Sequence, residues 1–201
     1  MKSRKMFGMR ISPLRKAADI IKEGGLVVFP TDTVYGIGCN PFNEEAMDRL
    51  FHVKKRDRDK PIPILVSSIK KAEEIAEFGS LAKKIARRYW PGALTLVLPA
   101  KAKTPPMLRG PGNTVGIRIP NHPFALSLIK AVDGYLTGTS ANLSGKEPAC
   151  TAKEAKKQLG NKVDFVIDAG RCPIGISSTV VEVTSNRPKV LRQGAVKLEI
   201  Q

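Results

Sequence analysis

Short apolar runs alternate along this chain with stretches patterned for helices, and that alternation confines the fold to a layered α/β arrangement. The first helical stretch runs from Ser12 to Glu23. Ser12 suits an N-cap, Pro13 suits the first helical position, and Leu14, Ala17, Ala18 and Ile21 repeat at i, i+3, i+4 and i+7. Gly24 and Gly25 stop it, and Leu26 to Phe29 follows as a continuously apolar run suited to a buried strand. Asn43 is expected to cap a second helix carrying Ala46, Met47, Leu50 and Phe51 on one face, and Ile62 to Val66 reads as the next strand. Ser68 and Ser80 are the expected N-caps of two further helices, the later one ending at Trp90-Pro91.

Further strands are expected at Ala93 to Leu98 and Thr114 to Ile119, then a helix over 122–132 and a strand over 135–138. Thr151 with Glu154 three residues later forms a capping box for another helix. Residues 163–168, 178–183 and 189–193 give three final strand candidates. Lys101 to Asn113, rich in Pro, Gly and Lys, reads as a mobile loop over a site. No repeat or shift in composition divides the 201 residues, so residues 1–201 read as one domain of α/β (α+β) class. No apolar run approaches the ~20 residues of a membrane span. The basic segment up to Ser12 lacks the apolar stretch of a secretory signal, so a cytoplasmic protein with no membrane partner is expected.

Lys and Arg number 34 against 18 Asp and Glu, a net charge of +16. Such an excess attracts polyanions, whether RNA or a nucleoside triphosphate, and a solvated basic surface would carry it equally. A module that only binds tRNA or double-stranded RNA is one alternative. Against it stand the few aromatic residues, one Trp, three Tyr and seven Phe, and the absence of an RRM-, KH- or OB-like stacking motif. Cys39, Cys150 and Cys172 are odd in number and lack C-x-x-C spacing, which argues against a disulfide framework and a zinc site. His52 and His122 stand alone, so no metal site is assigned to protein side chains.

Two familiar nucleotide signatures are absent. Gly145-Lys146 has Ser140 where the first glycine of a P-loop belongs, and the third glycine of a Rossmann fingerprint after Gly36 and Gly38 would fall on Pro41. Instead, polar residues gather at the ends of apolar strands, where α/β folds bind ligands. Pro30 to Gly38 carries hydroxyls, a carboxylate and a phenol beside glycines that permit close backbone approach, although a hydrogen-bonded turn would use the same residues. Lys54 to Lys60 holds five cations in seven residues, suited to triphosphate oxygens or to a solvated loop. Gly138 to Gly145 is small and hydroxyl-rich, a source of donors for phosphate or carboxylate. Arg118 inside a strand calls for a carboxylate ligand or an edge facing solvent. Gly175 to Thr179 and Leu191 to Gly194 complete the set.

Taken in order, these segments resemble the YrdC family of L-threonylcarbamoyladenylate synthases. The carrying motifs are PTDTVYGIG, Lys54-x-Arg56 with Lys60-Pro61, WPGALTLVL, VGIRIP, TSANLSG, SSTVVEV and VLRQG, which together cover nearly the whole chain. The resemblance implies a twisted, mixed β-sheet surrounded by helices and enclosing a large, positively charged cleft. It also implies a reaction in which L-threonine, bicarbonate and ATP, with Mg2+ on the phosphates, yield threonylcarbamoyl-AMP and pyrophosphate. The product would serve N6-threonylcarbamoyladenosine formation at position 37 of tRNAs that read codons beginning with A. A separate, downstream transferase complex would receive the adenylate, and affinity for tRNA can coexist with catalysis.

Carried over residue by residue, the resemblance places Lys54, Arg56, Lys60, Ser140, Asn142 and Arg192 around ATP, with Thr114 nearby. Lys54 and Arg56 would be the catalytic cations. Thr33, Arg118 and Ser178 would hold threonine, Arg118 pairing with its carboxylate, and Tyr35 would wall the same pocket. Many members carry a histidine in the strand after Lys60-Pro61, where this chain has Leu65. Related domains that form a carbamoyl-adenylate from carbamoyl phosphate are the second alternative; they sit in larger proteins with zinc-binding and acylphosphatase segments absent from this sequence.

Overall fold

The computed structural model describes residues 12–199; the basic segment ahead of Ser12 lies outside the described residues. Helix α1 (Pro13–Lys22) starts as its local chemistry dictates, with the Ser12 hydroxyl accepting from the Arg15 amide. Asn43 caps α2 (Glu44–Lys54) in the same way, and Lys55 in the left-handed region (φ 49°) ends that helix. Ser68 caps α3 (Ile69–Ile75). Ser80 does not act as a cap: it is the first residue of α4 (Ser80–Tyr89), and Gly79 takes the cap position without a side-chain bond. Helix α5 spans Pro123–Ala131, and α6 (Ala152–Leu159) begins with the complete Thr151–Glu154 capping box.

The strands are β1 (Val27–Phe29), β2 (Gly36–Gly38), β3 (Ile64–Val66), β4 (Leu94–Pro99), β5 (Thr114–Arg118), β6 (Tyr135–Thr137), β7 (Thr139–Ser140), β8 (Phe165–Val166), β9 (Thr179–Glu182) and β10 (Lys189–Arg192). The class is mixed α/β as expected, but the strands divide between two sheets. One has the order β7-β2-β1-β8, the other β10-β9-β4-β5-β3-β6, and each mixes parallel with antiparallel pairs. The chain passes from the large sheet to the small one at Gly138, whose amide donates to Pro63 O (2.9 Å). Next to that crossing, Cys39 and Thr137 exchange bonds: Thr137 N to Cys39 O (3.0 Å) and Cys39 N to Thr137 Oγ1 (2.8 Å). These bonds fasten the two sheets together. Neither β2 nor β7 shows the apolar patterning of a strand, because β2 holds a single apolar residue, Ile37, between two glycines and β7 holds only Thr139 and Ser140.

Alternation along each strand assigns the two faces of the large sheet. Ile64, Leu96, Val115, Ile117 and Val181 point to one side, where they join the main core with Ala72, Ile75, Ile85 and Ala86 of α3 and α4. A second core gathers Ala17, Ala18 and Ile21 of α1 with Ala125, Leu128 and Ile129 of α5, around Phe29, Leu65 and Leu136. The segment Lys101 to Asn113, expected to be mobile, is laced down instead. Arg109 donates to the carbonyls of Ala102 and Thr104 (3.0 and 2.9 Å), the Thr104 hydroxyl donates to Ile75 O (2.5 Å), and Leu108 is fully buried. Among the described residues, no helix is long and apolar enough to cross a membrane.

Candidate active site

The opposite face of the large sheet forms the floor of a cleft of about 780 Å³. Strand pairing lays its residues out in rows. Arg192, Val180, Thr95, Arg118 and Leu65 stand abreast on β10, β9, β4, β5 and β3, with the Arg118–Thr95 step following from the Leu96↔Ile117 pair. Beside them run Glu182, Val97 and Gly116, with Pro63 level with Gly116 one residue ahead of β3. Thr31 to Gly36 and Gly138 to Ser140 from the small-sheet side make one wall, and Arg56 to Pro61 makes another.

Thr33, Tyr35, Arg56, Lys60, Thr114, Arg118, Ser140, Ser178 and Arg192 all border this one cleft, although they are scattered from residue 33 to residue 192. Lys54 and Asn142 border an adjoining pocket of about 190 Å³, which shares Arg56, Lys60 and Ser140 with the first. The two cavities therefore adjoin at those three residues. Of the loop at Lys101 to Asn113, Pro111 reaches the cleft.

The side chains expected at the site meet the cleft on different terms. Arg118 is buried and fully committed on one side: Nε donates to Gly92 O (2.9 Å), Nη1 to Thr33 Oγ1 (3.0 Å) and Nη2 to Asp32 Oδ1 (2.5 Å). Two of its five N–H groups are left for a ligand. Burial pushes its pKa down, and Asp32 pulls it back up. Arg56 donates from Nε to Lys60 O (2.7 Å) and from Nη2 to Pro61 O (3.1 Å), so it braces its own turn while bordering both cavities. Burial lowers its pKa, and the nearby Arg192 charge lowers it further, the situation an incoming anion would relieve.

Lys54 is turned inward. The residue is 1% exposed, and its ammonium donates to Ser140 O and to Asn142 O (2.8 Å), so it shapes the 140–142 loop from below. Burial, then the Arg56 charge, push its pKa down to about 7. Asn142 spends its amide N–H groups on Leu143 O and Lys146 O (3.0 and 2.5 Å). Lys60 is exposed and paired with Asp57 (2.7 Å), and Thr114 donates its hydroxyl to Pro111 O (2.9 Å). Ser178 Oγ lies 3.0 Å from Thr95 Oγ1, and Arg192 Nη2 donates to Ser178 O (2.7 Å). The Tyr35 phenol points away, donating to Gly170 O (2.8 Å) and accepting from the Ala169 amide, so its contribution to the wall comes from the rest of the residue.

Three residues were missed as site members. Asp32 stands inside the Pro30–Gly38 motif, but its partner lies 86 positions away. Thr95 and Glu182 carry a readable signal: with a period of two, Glu182 shares the face of Ser178 and Val180. Among the described residues no group of three or more His, Cys, Asp or Glu could cage a metal ion, and the carboxylates bordering the main cleft are Asp59 and Glu182.

A Sua5/YciO/YrdC family model, described as "Telomere recombination", matches residues 19–194. A threonylcarbamoyl-AMP synthase of Pyrococcus abyssi is 41% identical over 92% of this chain and 55% of its own length. The threonylcarbamoyl-AMP synthase of Vibrio vulnificus strain YJ016 is 32% identical over 92% of this chain and 100% of its own length. The solved structure of P. abyssi Sua5 complexed with L-threonine superposes with a TM-score of 0.87 at 41% identity, covering 90% of this chain and 54% of that one. The chain therefore spans about half the length of the Pyrococcus relative and the whole of the Vibrio one.

Proposed function

Because the chain belongs to the Sua5/YciO/YrdC family, we propose that it is a threonylcarbamoyl-AMP synthase, acting as one catalytic domain in the cytoplasm. L-Threonine, bicarbonate and ATP would give threonylcarbamoyl-AMP and pyrophosphate, which a downstream transferase complex would use on tRNA. The observation that carries this reading is the pairing of two anion-ready regions around one cleft: Arg118 with Thr33 and Ser178 on the floor, and Arg56 with Lys60 and Ser140 where the smaller pocket adjoins it. That the Pyrococcus relative was solved complexed with L-threonine supports this amino acid as a substrate.

In this reaction the threonine amine captures CO2 or bicarbonate, and a carbamate oxygen attacks the α-phosphorus as pyrophosphate leaves. What such chemistry requires is alignment of two anions and neutralisation of phosphate charge, with no serine or cysteine nucleophile. Arg118 orients the amino acid through its carboxylate. Arg56 and Arg192 face the polyphosphate, and Lys54 holds the Ser140–Asn142 loop against it. Mg2+ would enter on the triphosphate, where it neutralises charge, since among the described residues the main cleft offers the carboxylates of Asp59 and Glu182 rather than a cage.

The deciding experiment is pyrophosphate release with each substrate omitted in turn. Release that needs threonine, bicarbonate and ATP together supports the synthase. Release with carbamoyl phosphate instead points to the carbamoyl-adenylate branch, and salt-sensitive tRNA binding without release points to an RNA-binding module.

A further inference from the structure

Glu182 lies on the cleft floor, half-buried, and makes no hydrogen bond or ion pair. Its surroundings explain why no cation reaches it. Lys189, its register partner on β10, is exposed and forms no ion pair with it, while Arg192 turns toward Ser178 O. A carboxylate on a half-buried apolar floor gives up part of its hydration without compensation, so it is a vacant acceptor.

The row that runs inward from Glu182, away from Lys189 on the edge strand, is flat. Val97 and Gly116 follow it in register, and Pro63 comes next. Gly116 presents no side chain, and a Cβ built there would meet Pro63 at 3.4 Å. From Glu182 to Pro63 the row crosses three strand spacings, roughly 14 Å. The far end adjoins the phosphate-ready residues, because Arg56 bonds Pro61 O and the Gly138 amide, just before Ser140, bonds Pro63 O. An extended nucleoside triphosphate placed along this row would have its phosphates at Arg56 and Ser140 and its planar base over Gly116 and Val97. The edge of the base would then reach Glu182.

We propose that Glu182 reads the base of the nucleotide: its carboxylate accepts a hydrogen bond from the exocyclic amine of adenine and rejects the carbonyl that guanine carries at that position. The proposal rests on the synthase reading of the cleft as a nucleotide site. Ribose hydroxyls are also donors, so the test separates base from sugar.

The test is calorimetric binding of ATP, GTP and 2′-deoxy-ATP to the full chain, to Glu182→Gln and to Glu182→Ala, with pyrophosphate release measured in parallel. Wild-type protein is expected to prefer ATP over GTP by about 5- to 150-fold, the factor given by one mispaired polar group. Glu182→Gln, whose amide also donates, should bring the ratio to within roughly threefold of unity. Glu182→Ala should lose the preference as well, by weakening ATP rather than by strengthening GTP. Removing a side chain without partners leaves the fold intact, and an unchanged urea midpoint confirms it. An unchanged ATP-to-GTP ratio in both variants overturns the proposal while leaving the synthase standing. A lost preference for ATP over 2′-deoxy-ATP, with the base ratio kept, moves Glu182 to the ribose and also overturns it. A wild-type protein that binds no nucleotide and releases no pyrophosphate removes the synthase reading and this proposal together.

Discussion

Asp32 Oδ1 lies 2.5 Å from Arg118 Nη2, and the two side chains are 6% and 7% exposed. The cleft therefore holds a cation whose charge is already balanced from behind. Asp32 Oδ2 has no partner, so the pair is tuned to hold Arg118 in place rather than to satisfy every acceptor. A ligand carboxylate, as proposed, would meet a guanidinium whose orientation is already set by Gly92 O, Thr33 Oγ1 and Asp32.

Arg118→Lys should separate recognition from stability. Lysine keeps a charge for Asp32 but loses the planar fork, so threonine affinity is expected to fall roughly 10- to 100-fold, the worth of a charge-assisted bond. Arg118→Ala additionally strands the Asp32 carboxylate, at about 3–5 kcal/mol of stability. Calorimetry with threonine and urea unfolding read the two effects. Wild-type affinity in Arg118→Lys would remove Arg118 from the amino-acid site.

Arg56→Ala and Lys60→Ala should diverge, although both cations stand in the same run. Arg56 borders both cavities and is half-buried, so its loss is expected to cost about 3–4 kcal/mol of transition-state stabilisation, roughly 10²–10³-fold in pyrophosphate release. Lys60 is exposed and already paired with Asp57, and its loss should cost less than about tenfold. Equal losses in the two variants would contradict this ranking.

That divergence marks where sequence reading stops. Helix caps were legible because their chemistry is local: Ser12, Asn43, Ser68 and Thr151 each bond an amide three residues on. The cations at 54–60 look alike in sequence, yet Lys54 points into the protein, Arg56 lines the cleft, and Arg58 pairs with Asp48 on the surface. Only the helix end at Lys55 and the packing of the 140–142 loop tell them apart. The split into two sheets was equally hidden, because it turns on the direct switch from β6 to β7 at Gly138 and on hydrogen bonds between Cys39 and Thr137, 98 positions apart.

Lys54 should imprint itself on the pH dependence of stability. Its pKa falls from 10.5 to about 7 in the folded protein, chiefly through burial, so the unfolded chain binds more protons between those values. The penalty for burying the ammonium is fully present below about pH 7 and fades as pH rises toward 10.5, so stability should increase across that window. In Lys54→Met this rise should be missing, although the protein is less stable at every pH because Ser140 O and Asn142 O lose their donor. Urea midpoints collected across the window for both proteins give the difference. Parallel pH curves would show that Lys54 keeps an ordinary pKa.

Two glycines should fail in opposite ways. A Cβ on Gly38 would run into the backbone carbonyl of Thr137, at the place where the sheets are joined. Backbone at the junction cannot swing aside as the end of a flexible side chain can, so Gly38→Ala is expected to cost about 3 kcal/mol or more, the upper end of overpacking. For a chain of this size that is a fall in Tm of roughly 6–12 °C. Gly116 lies on the cleft floor, and the nearest atoms to its added Cβ would be those of Pro63, at an ordinary contact of 3.4 Å. Gly116→Ala should therefore leave Tm within about 2 °C, as a substitution worth under ~0.5 kcal/mol does. It should weaken ATP binding by raising a methyl from the flat row. Thermal unfolding with nucleotide titration distinguishes the pair. Should Gly116→Ala bind ATP as tightly as wild type, the row from Pro63 to Glu182 is not where the nucleotide lies.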